Sequence, residues 1–223
     1  MSAFESSRLR AEPQAVSRVG KAERTRAAIL DAALGFLWSR AFREMTVGRL
    51  MEPTGMSRSA FYQYFSDLHD LMQTLQDILK GEIFAAVEPW LVGTGDPAAL
   101  MHETMAGLVR VCHERGPFVR AMSDAAATDE IYGEAWRQFL HEFDDAVSAR
   151  IEADQAQGLI PQFEVRPVAV ALNRLDASTL IHAFGQHPRM DPEPVREAIT
   201  RIWISTLYGI EWVESGPSNL VRT

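Results

Sequence analysis

The sequence predicts an all-α chain. Three observations carry that reading. Apolar residues recur at helical spacing along most of the chain, and no stretch alternates convincingly as a strand. Caps and breakers punctuate these stretches, with Ser, Thr or Asp before them and Gly or Pro between. Residues 45–65 hold two short capped helix starts around a glycine turn, the helix-turn-helix plan. The predicted architecture is a three-helix unit over 21–66 and a helical bundle over 67–223. Residues 1–20, without periodicity, are read as a mobile arm.

The elements follow in order. A helix is predicted over 22–39 from the stripe Ile29, Ala33, Phe36 and Leu37. Thr46 caps the next helix, and Met45 with Leu50 forms a hydrophobic staple at its start. Pro53 falls in that helix's last turn, where it removes a hydrogen bond. Gly55 supplies the turn. Ser57 caps the second helix, stapled by Met56 and Phe61. From the cap Asp67, the residues Leu68, Leu71, Met72, Leu75, Ile78 and Leu79 predict a helix to about Val87, stopped by Pro89. Residues 92–97 read as a loop. Further helices are expected over 98–114, 118–128, 130–157, 165–184 and 192–213. Gly116-Pro117 is taken as one of the breaks between them.

The last helix is apolar around most of its circumference: Val195, Ala198, Ile199, Ile202, Trp203, Ile204, Leu207, Tyr208, Ile210, Trp212 and Val213. Such a helix needs cover on more than one side. One side suits its own domain. Another, with the helix over 165–184, suits a two-fold contact with a second copy. A central helix buried within one chain is the plainer alternative.

Composition sets outer bounds. Apolar content of 47% and charged content of 23% are those of a globular chain. No apolar run is long enough for a membrane span, and residues 1–10 lack a signal-peptide core. Cys112 is alone, in keeping with a reducing cytoplasm. The net charge of −8 divides unevenly: residues 1–66 carry +4 and the remainder −12. A basic end on an acidic body fits an anionic partner at that end. Enzyme readings find no support. The six His include no H-E-x-x-H, no phosphate-cradling glycine loop occurs, and neither cofactor, metal site nor catalytic residue is called for.

Two groups of residues stand out. On the second helix of the turn motif, Phe61 and Phe65 face inward, leaving Arg58, Ser59, Tyr62 and Gln63 outward. Arg can fork onto guanine O6 and N7, and hydroxyls can hold phosphates. In the body, Met101, Met105, Phe118, Met122, Trp136, Phe139, Phe143, Phe184 and Trp203 supply Met and aromatic surface. Asn173 and Asp176 share a helix face among apolar neighbours. A few polar groups in an apolar cleft orient small molecules. A filled core with a satisfied polar pair is the plainer alternative.

Thr46-Val47, the turn Thr54-Gly55-Met56-Ser57 and Phe61-Tyr62-x-Tyr64-Phe65 resemble the TetR family of bacterial transcriptional regulators. Ile29-Leu30-x-Ala32-Ala33 fits as well. The resemblance implies phosphate contacts from Thr46, Ser57, Tyr62 and Tyr64, and base contacts from Arg58, Ser59 and Gln63. The chain departs from the pattern at Leu68, where members usually carry a phosphate-gripping Lys. It also departs at Met51 and Thr54, usually small, at Pro53, and at Ala41, where many have Gly. The body, through 171–176, Thr179-Leu180, Ala183-Phe184 and 202–209, resembles the ethionamide-resistance branch of that family. In that branch an apolar tunnel takes hydrophobic ligands, with two Asn as its polar handle. Asn173 matches the first, and Asp176 stands in place of the second. The implied function is a cytoplasmic, homodimeric repressor that binds a double-stranded operator and is released by a small hydrophobic ligand. The runner-up is a helical small-molecule binder whose DNA reader has weakened.

Overall fold

The computed structural model describes residues 13–209, and all regular structure among them is helical. Eight α-helices follow in order. They are α1 (Pro13–Ser39), α2 (Val47–Met51), α3 (Arg58–Phe61), α4 (Leu68–Val92), α5 (Pro97–Ala126), α6 (Glu130–Ala156), α7 (Val165–Phe184) and α8 (Pro192–Leu207). Short 3-10 turns at Phe42–Glu44 and Glu52–Thr54 flank α2.

Helix α1 starts at Pro13, well before the expected residue 22, so residues 13–20 are helical rather than part of an arm. Proline suits a first helical turn, where its missing N–H has no partner to lose. Residues 1–12 of that arm lie outside the described residues. So do Ile210, Trp212 and Val213 of the last apolar helix.

Helix α5 is the spine of the body, packing against α4, α6, α7, α8 and α1. Its backbone meets α4 where Gly107 lies on Ala86; a Cβ there would sit 2.9 Å from the Ala86 carbonyl oxygen. Two expected helix ends do not occur. Pro89 lies inside α4 and Pro117 inside α5. A proline within a helix leaves backbone groups unpaired, and here distant side chains take them up. The Trp90 N–H, just past Pro89, donates to Thr104 Oγ1 on α5 at 3.0 Å. The His113 carbonyl, four residues before Pro117, accepts from Arg189 Nη1 at 2.8 Å. Gly116 is therefore not a break but a crossing point, where its bare Cα presses on the Phe184 backbone at the end of α7.

Ring contacts tie the N-terminal helices and the start of α4 to the body. The ring of Phe42 meets Tyr132 of α6 edge-on at 5.2 Å, and His69 of α4 stacks on the same tyrosine at 4.7 Å. Trp38, near the end of α1, lies 5.0 Å from the His187 ring, with the Arg189 guanidinium 4.7 Å above its own. Leu30 and Leu34 of α1, Leu75 and Leu79 of α4 and Phe118 of α5 line one small cleft between those helices.

Candidate nucleic-acid reader and ligand cavity

The reader is built from local chemistry. Thr46 caps α2 by accepting from Arg49 N at 3.3 Å, and Ser57 caps α3 by accepting from Ala60 N at 3.2 Å. Between them Gly55 adopts φ +67°, a left-handed conformation that other residues avoid. Helix α2 stops at Met51, so Pro53 lies in the following 3-10 turn rather than in a helix it would damage. Its fixed φ suits that position. Thr54 braces the turn, donating to Met51 O at 2.7 Å and accepting from Met56 N at 3.1 Å. Regular α geometry in α3 ends at Phe61, sooner than expected. Tyr64 N bonds back to Phe61 O, three residues away, at 2.9 Å.

Leu50, Phe61 and Phe65 are fully buried, and they turn the opposite side of the motif outward. Thr46, Ser57, Arg58, Ser59, Tyr62 and Gln63 are all exposed, Tyr62 by 60%. Tyr64 is half-buried against the core. The Arg58 guanidinium folds back over Gly48 of α2, into space that any Cβ there would claim. Reaching a base requires it to swing off that glycine. At the start of α4, Asp67 accepts from Asp70 N at 2.9 Å, and Asp70 accepts from Ser66 N at 2.9 Å. These carboxylates occupy free N–H groups where the resembled pattern has a lysine for phosphate. Leu68 beside them is half-buried.

A narrow apolar cavity of about 90 Å³ lies in the body among α4, α5, α6, α7 and α8. Seven of the eleven residues singled out from sequence border it: Met105, Trp136, Phe139, Phe143, Asn173, Asp176 and Trp203. The other four do not. Met101, Phe118, Met122 and Phe184 are at most 2% exposed and belong to the close-packed core. Phe118 instead faces α1 and α4, and Phe184 packs edge-on to His113. Sequence reasoning missed Ile83, Val87, Trp90 and Leu91, the wall supplied by α4.

Asn173 and Asp176 each have a partner, but not each other. Asn173 donates to Asp144 Oδ1 at 2.9 Å, and Arg174 holds the same carboxylate with both terminal nitrogens. Asp176 is 5% exposed, and its two oxygens accept from Trp203 Nε1 at 3.1 and 3.0 Å. Burial pushes its carboxyl up to about 7 against the lowering effect of that bond. Cys112 shares the cavity wall. Burial, then the nearby Asp176, push its thiol up to about 12, so it is a packed apolar group rather than a nucleophile. Behind the wall, Trp90 Nε1 donates to the Tyr208 hydroxyl at 2.8 Å, and that hydroxyl donates to Asp154 at 2.7 Å. Trp90 and Trp203 meet edge-on at 5.6 Å, linking the two polar groups through their rings.

Two family models match separate stretches of the chain. Residues 29–75 match the model for bacterial regulatory proteins of the tetR family. Residues 101–209 match that for the C-terminal domain of the transcriptional regulator EthR. The HTH-type transcriptional regulator EthR of Mycobacterium tuberculosis is 28% identical over 189 residues, covering 82% of this chain and 86% of that protein. Its counterpart from Mycolicibacterium smegmatis is 25% identical over 186 residues, with the same coverage. Among solved structures, a TetR-family transcriptional regulator from Syntrophomonas wolfei superposes with a TM-score of 0.70 at 16% identity. That match covers 82% of this chain and 94% of the other.

Proposed function

Because this chain belongs to the TetR family of transcriptional regulators, we propose that it is a homodimeric repressor which binds a two-fold DNA operator and lets go when a small hydrophobic ligand enters the body cavity. One observation carries this reading. Helix α4 starts at Leu68, against the reader, and its later turns supply Ile83, Val87, Trp90 and Leu91 to the cavity. A single helix thus touches both sites.

The cavity's size turns this contact into a lever. At about 90 Å³ it is well below the ~300 Å³ at which small-molecule pockets begin. A ligand must part its walls, and one of those walls is α4. Interiors are close-packed, so a displaced helix moves as a body rather than yielding locally. Movement of α4 carries Leu68 and His69, and with them the setting of α3. The ligand then disfavours DNA by its differential affinity for the two arrangements, and DNA disfavours the ligand equally.

Two readers set a fixed distance apart need a dimer. Helix α8 buries Val195, Ile199, Trp203, Ile204 and Leu207 against its own body yet leaves Ile202 37% exposed. With α7 beside it, that face suits a second copy. A DNA partner places the protein in the cytoplasm, and no helix among the described residues is long and apolar enough to cross a membrane.

A second reading, a ligand binder with a weakened reader, is favoured by Asp67 and Asp70 at the start of α4, beside Leu68. A mobility-shift assay on DNA flanking the protein's own gene separates the two. The repressor reading predicts a salt-sensitive shift that unrelated duplex does not compete away. No shift beyond that of unrelated duplex favours the second reading.

A further inference from the structure

Hydrogen-bonding capacity in the cavity is lopsided. Among its described lining residues there is no Lys, Arg or His. Several donors at its wall are already engaged. The Trp203 N–H is shared by the two Asp176 oxygens, the Trp90 N–H goes to Tyr208, and one of the two Asn173 N–H groups goes to Asp144. The nearby Arg174 is committed to Asp144. What the wall lacks is a cation to meet its acceptors. An ionised carboxylate offers about four lone-pair sites, and Asp176 meets a single N–H. Asn173, having donated, still has its amide oxygen. The two residues lie one helical turn apart on α7, both on the cavity wall.

A buried carboxylate facing one neutral donor is poorly compensated. A ligand made only of hydrocarbon would leave it so. A ligand carboxylate would be repelled by it. An ammonium supplies both the missing charge and the missing donors.

We propose that the ligand is a lipophilic amine. Its ammonium sits between the Asp176 carboxylate and the Asn173 amide oxygen, and its hydrocarbon lies among Trp90, Met105, Phe139 and Trp203. This rests on reading the cavity as the ligand site and adds what that site selects. The position of the Asp176 carboxyl near 7 agrees, because an arriving cation finds the ionised form within easy reach.

The test is calorimetric titration of the whole protein at a pH of about 8 with 4-phenylbutylamine, 4-phenylbutan-1-ol and 4-phenylbutyrate. These share one hydrocarbon and differ in the head group. The amine should bind about tenfold or more tighter than the alcohol, the scale of a charge-assisted bond in a dry site. The carboxylate should bind least. In Asp176→Asn, which removes the charge and keeps the shape, amine and alcohol should converge. Trp203→Phe keeps the carboxylate and frees it of its donor, so the amine preference should persist. Equal binding of amine and alcohol to the unaltered protein would overturn the inference while leaving the cavity as a ligand site. An amine preference unchanged in Asp176→Asn would overturn it too, placing the cation elsewhere. Binding of none of the three would count against the cavity reading itself, and this inference would fall with it.

Discussion

The guanidinium of Arg189 donates to the carbonyl of His113 at 2.8 Å, and that carbonyl is the one Pro117 leaves without its helical partner. The same guanidinium lies 4.7 Å above the ring of Trp38 in α1. One side chain therefore mends the spine of the body and grips the N-terminal unit. Arg189→Ala would leave a carbonyl short of its donor and uncover an indole. The expected loss is about 1–3 kcal/mol of stability, read as a lower urea midpoint. An unchanged midpoint would show that Pro117 needs no such repair.

The Asp176 carboxyl gives a pH dependence of fixed sign. Its folded pKa, about 7, lies above the ordinary value of 3.8. Between those values the unfolded chain has released a proton that the folded chain still holds, so stability falls as pH rises from about 4 to about 7. The groups facing it are the Trp203 N–H and the Cys112 thiol, neither of which is cationic. Asp176→Asn should therefore gain stability over the unaltered protein as pH rises through this window, with the difference levelling off above it. Urea midpoints for both proteins at the two ends of the window check this. A difference that shrinks with rising pH would mean that the carboxylate is well compensated.

At the reader, Arg58 and Tyr62 should fail in different ways. Arg58→Ala is expected to cost about 1–3 kcal/mol on the preferred operator and to relax the choice at one base pair. Tyr62→Phe removes a hydroxyl suited to phosphate and should weaken all sequences alike. Binding to a panel of single-position operator variants distinguishes the two. Uniform loss for Arg58→Ala would contradict base reading and leave its guanidinium as a packing group on Gly48.

Much of this was legible because it is local. The caps at Thr46, Ser57 and Asp67 each satisfy an N–H within three residues, and the Gly55 turn is equally short-range. Pro89 and Pro117 were misread for the opposite reason. Thr104 and Arg189, which repair those helices, come from other elements. The Pro89 error also hid Trp90, which falls beyond the expected helix end yet lines the cavity. Periodicity showed which body residues turn inward, but not which meet a gap. Met105 borders the cavity, while Met101, one turn earlier on α5, is sealed in core. Asn173 and Asp176 drew notice as a pair, yet Asp144 and Trp203, their actual partners, lie on α6 and α8.

Dimerisation can be tested through the exposed Ile202. Ile202→Glu places a charge on the outward face of α8 with little cost to a single copy. Sedimentation should show a dimer at micromolar concentration for the unaltered protein and a folded monomer for the variant. A monomer in both cases would remove the two-fold arrangement on which operator binding depends.

The central claim is that cavity and reader exclude one another, and linkage gives its most direct test. DNA flanking the protein's own gene would be titrated by fluorescence anisotropy with and without saturating 4-phenylbutylamine. Amine binding would then be measured with and without saturating DNA. The account predicts that each partner weakens the other by the same factor. DNA affinity unchanged by saturating amine, with both partners bound at once, would contradict it.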